Sequence, residues 1–266
     1  MNFSSAELIS LACVPLLMIL ASVFENRFGA TVAGMIASAP VTAAVGLVAV
    51  TTSMGLPVGR DMALHMAGYA PAQVGFALVV AWSTGRLGIT RALLIGIPAF
   101  GALAWIATLV PPIIAVAASL AALAGGRRLL PPTDKPVQQT APARTGPWMI
   151  TVRAAIALTA TAGLLVAAHQ FGPAVGGAVG AFPIFTATLC VFIFTKNGLP
   201  AMRSTLTGLV QGLTGYVAFV LTYWVATNYL GALAGAIVAA IVCLASYGLI
   251  SRIQTRHPLP AVADGV

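Results

Sequence analysis

An internal duplication constrains this sequence more than any other feature. Residues 28–92 align with residues 171–235 without a gap, at a constant offset of 143 positions. About 18 of the 65 aligned positions are identical, and they include glycines, prolines and an arginine that an apolar composition would not match by chance. In a membrane protein, such a duplication raises the question of whether the two copies cross the bilayer in the same direction or in opposite directions.

The composition predicts an integral membrane protein. The chain is 59% hydrophobic, its mean hydropathy is +1.00, and only 7% of its residues are charged. A soluble domain of ordinary composition carries about 25% charged residues. Lipid requires backbone polar groups to be satisfied within the protein, and the period-two alternation of a β-barrel is absent. We therefore expect an all-α, polytopic membrane protein.

Apolar runs long enough to cross a bilayer predict nine spans. The chain would comprise a first four-helix repeat at 1–108, a linker helix at 109–126, a polar cytoplasmic linker at 127–147, and a second four-helix repeat with its tail at 148–266. Pro111 and Pro112 predict a tight turn that opens the short linker helix. The individual spans are predicted at 6–24, 28–50, 62–83, 88–108, 110–126, 149–169, 171–195, 204–227 and 230–251. The first segment has no basic residue before its apolar run, so we expect it to be retained rather than cleaved as a signal peptide.

The distribution of cations indicates the orientation. Lys and Arg collect in cytoplasmic loops. A nine-span chain with its N-terminus outside and its C-terminus inside puts twelve of the thirteen cations in the cytoplasm, whereas an eight-span chain with both termini inside puts ten there. The basic loops also change sides between the copies. This pattern favours two antiparallel repeats inverted by the linker helix, with the parallel eight-span arrangement as the alternative.

The second copy contains a Gly-rich segment at 176–185 that includes Phe182-Pro183-Ile184-Phe185, a loop at 197–205 and an aromatic segment at 215–219. Over about eighty residues, these motifs resemble the GlpM family of small four-span bacterial inner-membrane proteins. The resemblance is fainter in the first copy, where Ala39-Pro40-Val41-Thr42 replaces the Phe-Pro motif. The resemblance implies dual topology and an antiparallel dimer that a fused chain would make permanent, and it implies no substrate.

The sequence indicates neither an enzyme nor a bound cofactor or metal. The five acidic residues lie at span ends or in polar segments, and the three histidines are far apart in the chain. The three cysteines lie in apolar runs without metal-ligand spacing, which favours a role as small buried hydrophobes. The net charge of +8 reflects topology and anionic lipid rather than nucleic acid, because no surface that combines aromatic and basic residues accompanies it.

Candidate site residues come from the duplicated motifs and from polar positions within the spans. Pairs of glycine and proline in the second span of each copy predict either close helix packing with a kink or a pair of broken helices at a substrate site. Polar side chains in the third spans are either pathway-lining groups or interhelical hydrogen-bond donors and acceptors. The pathway candidates are Gly34, Pro40, His65, Gln73, Gly177, Pro183, Gln211 and Tyr216. Arg60 and Arg203 are candidates for contact with an anion or a lipid head group at the two mouths, or for simple interfacial anchors.

These observations predict a transporter or channel-like protein with its pathway between inverted repeats. The alternatives are a non-transporting scaffold or assembly protein, and a flippase for a lipid or lipid-linked substrate. The expected location is the bacterial inner membrane, with multiple passes. The expected partners are membrane lipids and a small solute or ion, and the favoured assembly is a monomer that forms an internal pseudo-dimer.

Overall fold

The computed structural model describes residues 4–28, 40–131 and 147–256, and this part of the chain is helical with no strand. Eight helical segments follow in order: α1 Ser5–Phe28, α2 Val41–Met54, α3 Leu56–Gly68, α4 Ala70–Thr108, α5 Pro112–Leu129, α6 Pro147–Phe171, α7 Pro173–Ala181 and α8 Ile184–Arg256. The all-α prediction is therefore confirmed for the described residues.

Among the described residues, three apolar helical stretches are long enough to cross a membrane, namely Leu56–Thr108, Ile150–Phe171 and Pro173–Leu249. Large apolar side chains such as Leu94, Trp105 and Leu244 are more than half exposed along them. Water would penalise such a surface, whereas a hydrocarbon solvent accommodates it. The prediction of a helical membrane protein is supported at this level.

Glycines with positive φ form the corners between helices. Gly55 separates α2 from α3, and Gly198 interrupts α8 at the equivalent position of the second copy. Gly88 interrupts α4, and its equivalent Gly231 interrupts α8 again, with φ of 77° and 76°. Gly172 forms the corner between α6 and α7. Only glycine adopts this conformation without strain, so the matched glycines fix the same helix boundaries in both copies.

These corners are tighter than the sequence predicts. The third spans, expected at 62–83 and 204–227, are helical from Leu56 and from Leu199 onwards. The reason is that one glycine followed by proline in the first turn, as in Gly55-Leu56-Pro57, turns the chain without a longer loop. Arg60 and Arg203 therefore lie within the helices, near their starts, rather than in loops.

The third helices of the two copies lie side by side and antiparallel. Arg60 Nε donates a hydrogen bond to the Trp224 carbonyl at 3.1 Å, and Arg203 Nε donates to the Ala81 carbonyl at 3.3 Å. The 143-residue offset converts one contact into the other, because Arg203 is the equivalent of Arg60 and Trp224 is the equivalent of Ala81. Each copy thus makes the same contact with the other, which is the property of a two-fold interface.

The helix between the copies packs against a kink in the first copy. Pro71 lacks the amide that would bond to the Ala67 carbonyl, and the chain turns at Tyr69 between α3 and α4. The buried Ser119 hydroxyl of α5 donates to that carbonyl at 2.7 Å. The second copy has Thr214 in place of Pro71, and its third helix continues without this break.

Candidate functional site

The second span of the second copy is broken at the predicted proline. Helix α7 ends at Ala181, Phe182 has extended backbone angles, and α8 begins at Ile184 after the buried Pro183. The Phe182 amide bonds back to the Val179 carbonyl, and the Ile184 amide bonds to the Phe182 carbonyl. Pro183 has no amide to continue the helical ladder, which explains the position of the break.

The first copy surrounds this break. The Phe182 ring packs edge-on against Phe76 and Phe100, with ring centroids 6.4 and 5.2 Å apart. Gln73 Nε2 donates a hydrogen bond of 2.6 Å to the Ala181 carbonyl, and this contact is buried. Non-helical backbone is tolerated at membrane depth where protein encloses it. Here the amide side chain of one copy satisfies the carbonyl that the break in the other copy releases.

A second polar side chain, Tyr216, lies at the same level. Tyr216, the equivalent of Gln73, lies beside the Gln73 amide and Tyr69. Its hydroxyl is buried and makes no hydrogen bond within the described part of the chain. The neighbouring Tyr69 hydroxyl instead donates to the Ala174 carbonyl of α7 at 2.8 Å. An unpaired buried hydroxyl is costly, so Tyr216 is the group at this interface that a ligand could satisfy.

The candidate glycine of the second copy lies at a close helix contact. A Cβ added to Gly177 would approach the Met62 carbonyl and the Met66 side chain at 3.2 Å. His65, at the same contact, stacks on Tyr69 with centroids 6.3 Å apart, and its Nε2 lies 3.8 Å from the Asp61 carboxylate. These residues belong to α3, so Gly177 lets α7 pack closely against the first copy.

For the remaining candidate site residues, no contact with the break at Ala181–Pro183 is described. Pro40 immediately precedes α2, at the position equivalent to Pro183. Gln211 is half-buried on α8, and among the described residues no hydrogen bond links it to the break. Gly34 lies outside the described residues.

Arg60 and Arg203 each contact the other copy of the repeat. Both are half-buried, and the Arg60 guanidinium lies 5.3 Å from the centroid of the Trp224 ring. Together with the two Nε hydrogen bonds, this contact ties the third helices to each other near both ends. The predicted contact with an anion or head group stays a prediction.

Sequence reasoning missed a polar cluster formed by Glu7 and His169. The two residues are 162 positions apart, yet His169 Nε2 lies 2.5 Å from Glu7 Oε1. The prediction considered acidic residues and histidines only by their spacing, which gives no sign of this contact. The Ser4-x-x-Glu7 pattern of a capping box was the available signal that Glu7 has a structural position at a helix start.

The cysteine prediction holds for two of the three residues. Cys190 and Cys243 are buried, whereas Cys13 is exposed on α1. The prediction was wrong for Cys13 because a position in an apolar run does not distinguish a helix face that packs from one that meets lipid.

No family model matches this chain, and neither the curated proteins nor the solved structures include a match.

Proposed function

We propose that this protein is a membrane transporter or channel-like protein whose pathway runs between two inverted repeats. The observation that carries the proposal is the buried break at Ala181–Pro183. There, the Gln73 amide from the other copy bonds a released carbonyl, and the Tyr216 hydroxyl has no partner in the described residues. Broken helices at the interface of inverted repeats commonly form substrate sites in transporters.

The proposed arrangement is two antiparallel four-helix repeats joined by α5, with nine spans, an external N-terminus and a cytoplasmic C-terminus. The reciprocal bonds of Arg60 and Arg203 support an inverted pair. The contact between Glu7 and His169 also supports an odd number of crossings between the repeats. Glu7 starts the first span and His169 ends the sixth, so the two residues share a membrane face only if α5 crosses. In the parallel eight-span arrangement they would lie on opposite faces.

The groups at the break favour a small solute that forms hydrogen bonds with neutral partners. Within the described residues, they are an amide, two phenol hydroxyls and backbone carbonyls. His65, one turn from Tyr69, stacks on the Tyr69 ring. The bacterial inner membrane and a relation to the GlpM family remain part of the proposal.

The test is uptake by purified protein in proteoliposomes, against a panel of small solutes and ions. Gly177→Leu should abolish uptake, because Gly177 has no room for a side chain beside Met62 and Met66. Gly208→Leu is the matched control, since Gly208 is exposed and has open space around it. Tyr216→Phe should lower uptake while the fold persists.

Two results would contradict the proposal. One is the absence of uptake or binding across the panel, which would favour the scaffold. The other is uptake that both Gly177→Leu and Tyr216→Phe leave unchanged, which would put the pathway elsewhere. Transfer of labelled lipid between leaflets without solute uptake would favour the flippase.

A further inference from the structure

We propose that the contact between Glu7 and His169 holds one face of the molecule closed between the two repeats. Glu7 is the proton-binding group, and its protonation weakens this contact, so that the face opens on acidification. The inference rests on the proposed inverted-repeat arrangement and adds a regulatory ligand, the proton, at a site separate from the helix break.

The Glu7 carboxylate is enclosed by hydrogen-bond donors from three chain segments. Its side chain is 1% exposed. The Ser4 amide and hydroxyl donate to Oε2 at 2.8 and 3.0 Å, and the Ser53 hydroxyl donates to Oε1 at 3.0 Å. His169 Nε2 contacts the same Oε1. A buried carboxylate is costly unless it is both paired and hydrogen-bonded, and this one meets both conditions.

The positions of the two residues on their helices suit an ion pair. Glu7 lies in the first turn of α1, where the positive end of the helix dipole is complementary to an anion. His169 lies in the last turn of α6, where the negative end is complementary to a protonated imidazole. Because α1 and α6 pack against each other, these two ends meet. The His169 side chain is 32% exposed, so protons can reach the pair.

The pair joins the repeats on one face of the molecule. Glu7 and Ser53 belong to the first repeat and His169 to the second. Extended beyond the aligned ranges 28–92 and 171–235, the 143-residue offset places Ile150 at the position of Glu7 and Asn26 at that of His169, and neither residue is ionisable. These two positions therefore cannot form the equivalent ion pair, so this contact makes one face respond to pH in a way that its counterpart does not reproduce.

Few other titratable groups lie near the pair. Helices α2 and α7 carry none, and the only other ionisable residue of α6, Arg153, is near its opposite end. Tyr223 of α8 bonds Thr51 on the same face, and Tyr229 is exposed there. Arg60, Asp61 and His65 of α3 follow Gly55 on this face.

Protonation of the Glu7 carboxylate weakens its contact with His169. The carboxylate accepts four hydrogen bonds, and a carboxyl group that has taken up a proton loses both its charge and part of this acceptor capacity. The His169 ring can donate a hydrogen bond to the carboxylate whether or not the ring is charged, provided that Nε2 carries a proton. The closed state is therefore lost on acidification rather than at high pH.

Infrared difference spectroscopy on the full-length protein in lipid tests the proton site. A carboxyl band that appears on acidification should be absent in Glu7→Gln. Its midpoint should shift by about one pH unit or more in His169→Gln, because an opposite charge at contact distance changes carboxyl titration by this amount. Thr52→Ala is the matched control, since the exposed Thr52 hydroxyl bonds the Val48 and Ala49 carbonyls of its own helix rather than Glu7. A spectrum that Glu7→Gln does not change would overturn the proposal.

Thiol labelling tests the closure. The reporter is Val50→Cys, at a fully buried position one turn before Ser53, in a background whose native cysteines are replaced by alanine. The exposed Ser5→Cys corrects for the pH dependence of thiol chemistry. The ratio of the two labelling rates should rise at least several-fold on acidification, and it should be high at every pH in Glu7→Gln or His169→Gln.

A ratio that does not depend on pH, or one that both substitutions leave as in the parent, would refute the closure. Neither measurement needs a transported solute. Closure that depends on pH without any uptake would contradict only the proposed function, and uptake with a constant labelling ratio would contradict only this inference.

Discussion

At the scale of single residues, equivalent positions in the two copies make different hydrogen bonds. Gln73 satisfies the Ala181 carbonyl, whereas Tyr216 at the matching position has a hydroxyl without a partner in the described residues. Both side chains are buried at the same interface. The duplication therefore supplies one group that stabilises the break and a second group that is available for a ligand.

This difference predicts that substitutions at the two positions change stability by different amounts. Gln73→Leu removes an interhelical hydrogen bond and leaves the Ala181 carbonyl unsatisfied, so we expect it to lower the free energy of unfolding by about 1–2 kcal/mol. Tyr216→Phe removes no hydrogen bond to a described residue and should change stability by less than about 0.5 kcal/mol. Unfolding in mixed micelles measures both. Equal losses would mean that the Tyr216 hydroxyl has a structural partner.

At the scale of helices, the boundaries depend on backbone conformation rather than on side-chain contacts. Gly88 has φ of 77°, and an added Cβ would meet nothing within 4 Å. Gly101 also has open space around it, but it lies inside a regular helix. The two glycines therefore differ in conformation and not in available room.

Alanine at these two positions separates the effects. Gly88→Ala forces a side chain into a glycine-only conformation and should destabilise the protein by about 1–3 kcal/mol. Gly101→Ala should be neutral or stabilising by up to about 1 kcal/mol, because alanine has the higher helix propensity. Thermal unfolding in detergent compares them. If the Gly88 variant is as stable as the parent, the corner at this position does not require glycine.

The contact between α5 and the kink gives a second prediction about helices. Ser119→Ala should cost about 1–2 kcal/mol, because it leaves the Ala67 carbonyl without its donor. Pro71→Ala restores a backbone amide four residues after Ala67, so the same serine substitution should cost much less in that background. A double-mutant cycle of unfolding free energies measures the coupling. Additive costs would show that Pro71 is not the reason for the Ser119 contact.

At the scale of the whole molecule, the reciprocal arginine contacts predict which helix ends meet. With a protease site inserted near Gln138, cysteines at positions 60 and 224 should keep the two halves together when a short bifunctional thiol reagent is added before cleavage. Cysteines at positions 60 and 203 serve as the control, because antiparallel third helices put these two residues at opposite ends. Efficient linkage of the control pair would contradict the antiparallel arrangement.

Topology reporters test the same arrangement in the membrane. Reporters after Val266 and near Gln138 should indicate the cytoplasm, and one at the N-terminus should indicate the outside, because this orientation puts twelve of thirteen cations inside. Deletion of 110–126 should alter the orientation of the second repeat. A cytoplasmic N-terminus would exclude the nine-span proposal.

The local features of this protein could be predicted from short stretches of its sequence. Hydropathy predicted a helical membrane chain, because backbone polar groups in lipid must be hydrogen-bonded within the protein. Pro183 predicted a kink or break in the second span of the second copy, because proline lacks the amide that continues the helix.

The packing of the helices brings together groups that are distant in the chain. The pairs Gln73 with Ala181, Arg60 with Trp224, and Glu7 with His169 are separated by 108, 164 and 162 positions. Spacing along one helix predicts neighbours three or four residues apart, but contacts between helices depend on how whole helices pack. The polar cluster at Glu7 was for this reason not predictable from the sequence, whereas a kink or break at Pro183 was.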